Sequence, residues 1–405
     1  MLTLVTSNPA KYAPFKQDLD RLRICIERPH APLPELQSLS FAENLAAKAR
    51  AAAAMFGRPV LVDDAGVVLE EYAPFPGPLT STVIKSLGIP GLQRLLAGAS
   101  NRARMECHLG CWMDERLRSW NGQIEGRIDF THRPRDGRMI LSDLFVPDEQ
   151  AEHGRLAHRA RALASLKGAA FELHLQAAQA SAPQIIPCPA ATGYECPFCA
   201  EFDQDGPSIF QEMMGDRLVS RIVYEDEHFI VMPPLGEFME GGLLVLTRAH
   251  VLSLAHVEDA LLGHLERLLK AIGGAVQKRW GVAPLVFEHG PAPQWGKGVC
   301  CVDHAHLNVF PAVVQVYPHL AERMSFPIGA LSELSQLRHA EFGYLLVQEN
   351  DGTRLAYDGK DVPTQLVRRI ICDAIGLPER WHWRDYPGAS ELVATFNAVN
   401  GQIHL

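Results

Sequence analysis

The residues best suited to chemistry lie in "CCVDHAHLNVFP", residues 300–311, where His304, His306 and Asn308 alternate with Ala305, Leu307 and Val309. On a β-strand this period sends the three polar side chains to one face and the apolar ones to the other. A neutral imidazole nitrogen is a competent nucleophile near pH 7, and a covalent phosphoramidate would divide one hard displacement into two easier ones. The ordinary alternative is a half-buried antiparallel strand whose histidines are solvated or hydrogen-bonded. Upstream, "YECPFCAEF" supplies Cys196 and Cys199 as C-x-x-C. That spacing suits two thiolates sharing a metal, a redox pair, or two buried cysteines. Zinc needs two further ligands, for which His250, closing the apolar strand of "LVLTRAH", and His304 are the candidates. "QWGKGVCC" offers backbone N–H groups and Lys297 to cradle phosphate oxygens.

A second set lies in the first half. "RPVLVDDAG" reads as a buried strand ending in Asp63-Asp64 and a glycine turn. Paired carboxylates at a strand end point into a cleft and suit Mg²⁺ with substrate phosphates. "MLTLVTSNPAKY" reads as a strand running into a helix, with Asn8 as N-cap, Pro9 at its first position and Lys11 in its first turn. A helix start with a lysine is a ready phosphate site, although an N-cap asparagine is usually only a cap. In "SFAENLAAKARAAAAMFG" Ser40 and Glu43 have capping-box spacing on a strong helix, so structure alone accounts for Glu43.

The elements that position these residues fall into blocks. The 405 residues suit two or three domains. "LQAAQASAPQIIPCPAATGYE" is small, polar and proline-containing, which makes it an interdomain linker. The expected organisation is a domain over 1–174, a linker over 175–192, a second domain over 193–320 and a C-terminal extension over 321–405 packed on it. The first half alternates strand and helix patterns, an α/β domain. The second has hairpin-like strands, a helix over Val257 to Trp280 and the histidine strand, an α+β domain with an antiparallel sheet. The tail carries an amphipathic helix in "TQLVRRIICDAIG" and an aromatic cluster, "WHWRDYP", whose Trp381, Trp383 and Arg384 are packing anchors or a pocket border.

Composition narrows the function. Apolar content of 47% and charged content of 21% are those of a soluble globular chain. A net charge of −9 argues against a nucleic-acid polymer as the main ligand, while leaving room for single nucleotides. The N-terminus does not read as a signal peptide, and no run approaches the ~18 apolar residues of a membrane helix. Nine cysteines, two of them adjacent, make a poor disulfide framework, so the expected location is a reducing cytoplasm.

From "CPFC" through "RIVYEDEHFIVMPPLGEFMEGGLLVLTRAHVLSL" to "VDHAHLNVFP", the second half resembles the histidine-triad superfamily of nucleotide hydrolases and transferases. The resemblance implies zinc held by Cys196, Cys199, His250 and His304, and His306 as nucleophile on a nucleotide α-phosphate. The family's third triad histidine is Asn308 here, an amide position shared with transferase and phosphorylase branches, so the final acceptor could be phosphate or another group rather than water. "TSNPAK", "FAENLAAKA", "VLVDDAG", "PFPGPLTS", "GLQRLLAG" and "AHRARAL" resemble, in order, the inosine triphosphate pyrophosphatase family. This second resemblance implies Mg²⁺-dependent release of pyrophosphate from non-standard purine nucleoside triphosphates. It gives Asn8, Lys11 and Lys48 to phosphates, with Asp63 beside them. Glu43 and Asp64 would bind metal and activate water, and His158 with Arg159 would read the base. "MILSDLFVP" replaces the family's aromatic base-stacking segment, keeping Asp143, and a lysine before "AHR" is missing. The reading is thus a nucleotide-processing fusion of two enzymes with small-molecule nucleotide partners, homodimeric by analogy with both families. The alternative is a nucleotidyltransferase or phosphorylase joined to a nucleotide-sensing first domain.

Overall fold

The computed structural model describes residues 2–29, 31–131, 141–149, 154–181, 196–203, 208–291, 302, 304–339 and 343–405. Its contacts divide the chain into two units, Met1–Ser181 and Ala182–Leu405.

The first unit carries a seven-stranded mixed sheet: β1 (Leu2–Val5), β2 (Ile24–Glu27), β3 (Leu61–Leu69), β4 (Pro76–Gly77), β5 (Arg102–Met113), β6 (Arg116–Ile128) and β7 (Phe145–Pro147). The strand order is β2-β1-β3-β5-β6-β7, with β4 also paired to β3. β1 runs parallel to β2 and β3, and the remaining pairs are antiparallel. Four helices accompany it: α1 (Lys16–Arg21), α2 (Phe41–Phe56), α3 (Thr80–Leu95) and α4 (Ala157–Ser181).

α2 forms because its alanine-rich sequence has high helix propensity and both ends are stopped. Ser40 Oγ accepts from the Glu43 N–H at 3.3 Å, and Gly57 closes the helix at φ 64°. The reciprocal half of the expected box is replaced, since the Glu43 carboxylate accepts from Ser38 Oγ at 2.5 Å. Leu45, Ala49 and Ala52 form the buried stripe.

Three expectations change here. Asp63 and Asp64 do not end a strand, because β3 runs on to Leu69. Gly66 makes no turn. It stays in the ladder because a side chain there would strike the Gly77 carbonyl and Thr80, so the missing Cβ lets β4 close on β3. The segment after Asn8 is a 3-10 turn, Pro9–Phe15, before α1 begins. Pro14 inside it lacks the N–H that an α-helical ladder needs. Finally, residues 175–181 of the expected linker belong to α4, since "LQAAQAS" consists largely of good helix formers.

The second unit is built on an eight-stranded antiparallel sheet: β8 (Tyr224–Glu225), β9 (Phe229–Met232), β10 (Leu243–Thr247), β11 (Leu285–Gly290), β12 (His306–Phe310), β13 (Ser325–Pro327), β14 (Tyr344–Gln348) and β15 (Arg354–Asp358). The order is β13-β15-β14-β11-β12-β10-β9-β8. Its helices are α5 (Pro197–Asp203), α6 (Ile209–Met214), α7 (Asp259–Trp280), α8 (Tyr317–Leu320), α9 (Leu366–Ala374) and α10 (Ala389–Val399). The residues after 320 do more than pack on the unit, since they supply β13, β14 and β15 to its sheet. The strand "YLLVQ" is almost wholly buried, as an interior strand requires. Val367, Ile370 and Ile371 of α9 join the core around Phe287, Phe310, Leu345 and Val347. Among the described residues, no helix is long and apolar enough to cross a membrane.

Candidate functional site

In the second unit the alternation at 304–308 is held by its neighbours. Leu246 faces His306 and Leu244 faces Asn308 across the β10–β12 ladder, while Phe287 faces Asn308 across β11–β12. Directly opposed residues share a sheet face, so His306, Asn308, Leu244 and Phe287 present one surface. That surface lines a cavity of about 340 Å³. His304 precedes β12 and is 1% exposed.

Cys196, Cys199, His250 and His304 converge, their ligand atoms all within 4.8 Å of one another. His304 Nδ1 lies 3.4 Å from Cys196 Sγ and 3.6 Å from Cys199 Sγ, and His250 Nδ1 lies 3.4 Å from Cys199 Sγ. The group can hold a metal ion. His304 Nε2 lies 2.7 Å from the Thr247 carbonyl, an acceptor only, so this nitrogen carries the proton and Nδ1 keeps its lone pair toward the sulfurs. Burial pushes the His304 pKa down to about 4, which keeps the ring neutral as a ligand must be.

His306 is fixed the same way by the opposite nitrogen. Its Nδ1 lies 2.6 Å from the His304 carbonyl and so donates, which leaves Nε2 as the nitrogen with a lone pair. Burial lowers the His306 pKa, favouring that neutral form.

The rest of the cavity wall includes groups that the motifs did not announce. Arg221, 1% exposed, grips Glu201 with Nε at 2.8 Å and Nη2 at 2.6 Å and donates to the Pro233 carbonyl at 2.7 Å. This buried fork ties α5, the carrier of Cys199, to the chain after β9. Nothing in "DRLVSRIVY" marks Arg221 for that task. His289, Gln365 and Arg368 also line the cavity. Of the aromatic cluster, Trp383 and Arg384 border it, whereas Trp381 packs on the core beneath Arg369, whose Cζ lies 3.8 Å from the ring centroid. Lys297 lies outside the described residues.

In the first unit, period two splits the carboxylate pair. Asp64 faces His108 across the β3–β5 ladder, and Asp63 faces Leu109. Adjacent residues point to opposite faces, so the two carboxylates do not share one cleft. Asp63 meets Arg159 Nη1 at 3.0 Å, and the same nitrogen lies 3.2 Å from the Tyr12 hydroxyl. Burial pushes the Asp63 pKa up, but Arg159, Lys11 and a hydrogen bond from Thr6 outweigh it and hold the carboxyl below its usual range. Asp64 is different. Lys48 Nζ lies 3.0 Å from its Oδ1, while the buried Oδ2 has no hydrogen-bond partner among the described residues. Burial raises its pKa against the pull of Lys48.

Lys48 thus joins Asp64, and its second anion is Glu35 at 3.7 Å. Glu43, Asn8 and Lys11 are exposed, and Asn8 makes no side-chain capping bond. His158 and Arg159 are 1% and 6% exposed, and the Arg159 guanidinium meets Asp63 and Tyr12. On the Asp64 face, His108 Nε2 lies 2.8 Å from Glu106 Oε2, and Arg104 Nε lies 2.6 Å from Glu106 Oε1. The His108 ring stacks on Phe41 at 4.3 Å. This row was legible as polar residues at every second position of "RMECHLG", but the strand's length hid its proximity to Asp64.

Similarity to known proteins follows the division into units. The profile of the Ham1 family matches residues 2–175. A dITP/XTP pyrophosphatase of Methanopyrus kandleri is 36% identical over 169 residues, which is 39% of this chain and 89% of the relative. The dITP/XTP pyrophosphatase of Pyrobaculum aerophilum is 31% identical over 180 residues, 41% of this chain and 93% of the relative. Among solved structures, a zinc-bound histidine triad family protein from Mycobacterium smegmatis is 22% identical, with a TM-score of 0.22, over 29% of this chain and 74% of its own. With most of the length of such relatives reproduced in its first unit, the chain belongs through residues 2–175 to the Ham1 family.

Proposed function

We propose that the chain is a nucleotide phosphohydrolase with two active units. The first releases pyrophosphate from non-standard purine nucleoside triphosphates, and the second cleaves at a nucleotide α-phosphate through a covalent intermediate on His306. The observation that carries the second part is the 2.6 Å bond from His306 Nδ1 to the His304 carbonyl. It fixes the tautomer and leaves Nε2 to attack phosphorus from the cavity wall. Attack forms the Nε2–P bond as the bond from phosphorus to the leaving group's oxygen, or to its nitrogen in a phosphoramidate, breaks. An acceptor then takes the nucleotidyl group and returns the neutral imidazole.

The donor set of Cys196, Cys199, His250 and His304 fits zinc. Bonds of about 2.3 Å to sulfur and about 2.0 Å to nitrogen at a tetrahedral angle place S and N about 3.5 Å apart. The three S···N separations of 3.4, 3.4 and 3.6 Å match. Four protein ligands close such a site, so its role is to hold α5 and the approach to β12 together.

For the first unit, the curated relatives are named for dITP and XTP, and Asp64 supports the same chemistry here. A buried carboxylate oxygen without a donor fits a divalent cation, and hard oxygen ligands suit Mg²⁺. Bound Mg²⁺ would polarise the triphosphate. Asp64 and Glu43 would hold it and position water, and Asn8, Lys11 and Lys48 would meet phosphate oxygens. Asp63 would stand beside the phosphates, held by Arg159 at 3.0 Å, and His158 with Arg159 would read the base.

Two assays test the reading. Intact-mass analysis after exposure to a dinucleoside polyphosphate or nucleoside phosphoramidate should find one acid-labile nucleotidyl group, absent from His306→Gly; full turnover by that variant would end the mechanism. Magnesium-dependent pyrophosphate release from inosine or xanthosine triphosphate should vanish in Asp64→Asn. Failure of the wild type on every triphosphate would leave the first unit a nucleotide sensor. Asn308 favours a second reading of the acceptor. It lies on the His306 face and cannot titrate, so nucleotidyl transfer to phosphate would exceed transfer to water.

A further inference from the structure

Gln365 immediately precedes α9 with φ 59° and ψ 24°, the left-handed region. Glycine and asparagine adopt that region readily, whereas a glutamine there is strained, and this one makes no side-chain capping bond in return. Its amide oxygen is buried with no hydrogen-bond partner among the described residues. The same side chain lines the cavity that contains His306 and Asn308. A strained backbone and an unpaired polar atom thus coincide in one residue of one wall. Such strain persists where the surroundings over-determine it, and here the apolar face of α9, with Val367, Ile370 and Ile371, is anchored in the core.

We infer that the Gln365 carboxamide is a specificity-determining contact for the nucleoside part of the ligand in this cavity, an inference that rests on reading the cavity as a nucleotide site. The unpaired atom is an acceptor, so its partner must donate. Phosphate oxygens at neutral pH are acceptors, whereas ribose hydroxyls and the amino or ring N–H groups of a base donate. The terminal torsion of a glutamine is broad, so a small rotation brings the amide to a ligand beside His306. Substrate binding then satisfies an atom without a partner among the described residues, and an analogue lacking that donor would gain less.

The test uses the full chain with histidine-labelled imidazoles, the His306 resonance being assigned by its loss in His306→Gly. Adenosine monophosphate, and separately inorganic phosphate, would be titrated while that resonance is followed. Gln365→Gly and Gln365→Asn both accept the left-handed backbone, and neither reaches as far as glutamine. Each should weaken the monophosphate at least tenfold, leave the response to phosphate unchanged and keep or raise Tm. Unchanged monophosphate affinity in both variants would overturn the inference. So would equal weakening of phosphate, which would place the contact on the phosphate, or a fall in Tm in both variants, which would make the amide structural. If no nucleotide moves the His306 resonance in the wild type, the nucleotide reading fails together with the inference. If nucleotides bind but no covalent label forms, only the covalent step fails.

Discussion

β3 and the approach to β12 handle the same problem, two chemically active side chains close in sequence, with opposite results. Asp63 and Asp64 are adjacent, so the pleat sends them to opposite faces. One meets Arg159 in a buried ion pair; the other keeps an oxygen without a hydrogen-bond partner among the described residues, beside Lys48. His304, just before β12, and His306, its first residue, are two apart and are separated by tautomer, since one donates through Nε2 and the other through Nδ1. Neighbours along a strand are therefore distinguished by environment, and alternating residues by which nitrogen the backbone claims.

The largest effect should come from breaking the Cys/His group on the histidine side. Cys196→Ser should abolish bound zinc, about one ion per chain in the wild type, as measured by elemental analysis, and should lower the melting temperature of the second unit, because structural zinc contributes folding energy outright. Retained zinc in that variant would place the ion elsewhere.

On the carboxylate side, Arg159→Met would strand Asp63, whose side chain is only 7% exposed. Breaking a buried pair from one side costs about 3–5 kcal/mol, read as a lower urea midpoint. Adding Asp63→Leu should recover most of that loss, as both charges are then gone. If Arg159→Met is as stable as the wild type, the pair does not hold the fold.

The smallest effect separates Asp64 from Asp63. The folded-state pKa of Asp64 is raised, mainly by burial, so its contribution to stability is complete below its unfolded value and is lost as pH rises through the folded one. At pH 7 its charge is therefore a small burden on the fold. Without magnesium, Asp64→Asn should leave Tm unchanged or higher while abolishing pyrophosphate release. The wild-type rate should fall on the acid side at a pH above the ordinary aspartate value of about 3.9. An acid limb at that ordinary value would mean that a different group controls activity.

Much of this was legible in the sequence where local pattern and chemistry agree. The C-x-x-C pair, His250 and the 304–308 alternation do converge, because a short spacing, a strand end and a period of two are local facts. The reading of Asp63 and Asp64 as a joint strand-end pair failed because it needed the extent of β3, which depends on the approach of Gly77 to Gly66, a contact between separate elements. Arg159 was legible as a conspicuous cation but not as a partner of Asp63, 96 residues away. Gln365 carried no sequence signal, since its interest lies in a backbone angle and an oxygen without a partner among the described residues.

The pairing of β14 with β11 bears on how the second unit can be divided. A fragment ending at residue 320, where the histidine motif is already complete, would strip β11 of its neighbour from Val286 to Gly290. The bared edge would carry unpaired N–H and C=O groups along "LVFEHG", whose leading residues are apolar. Such a fragment would offer a template for strand addition, so it should self-associate in solution even with Cys196, Cys199, His250, His304 and His306 all present.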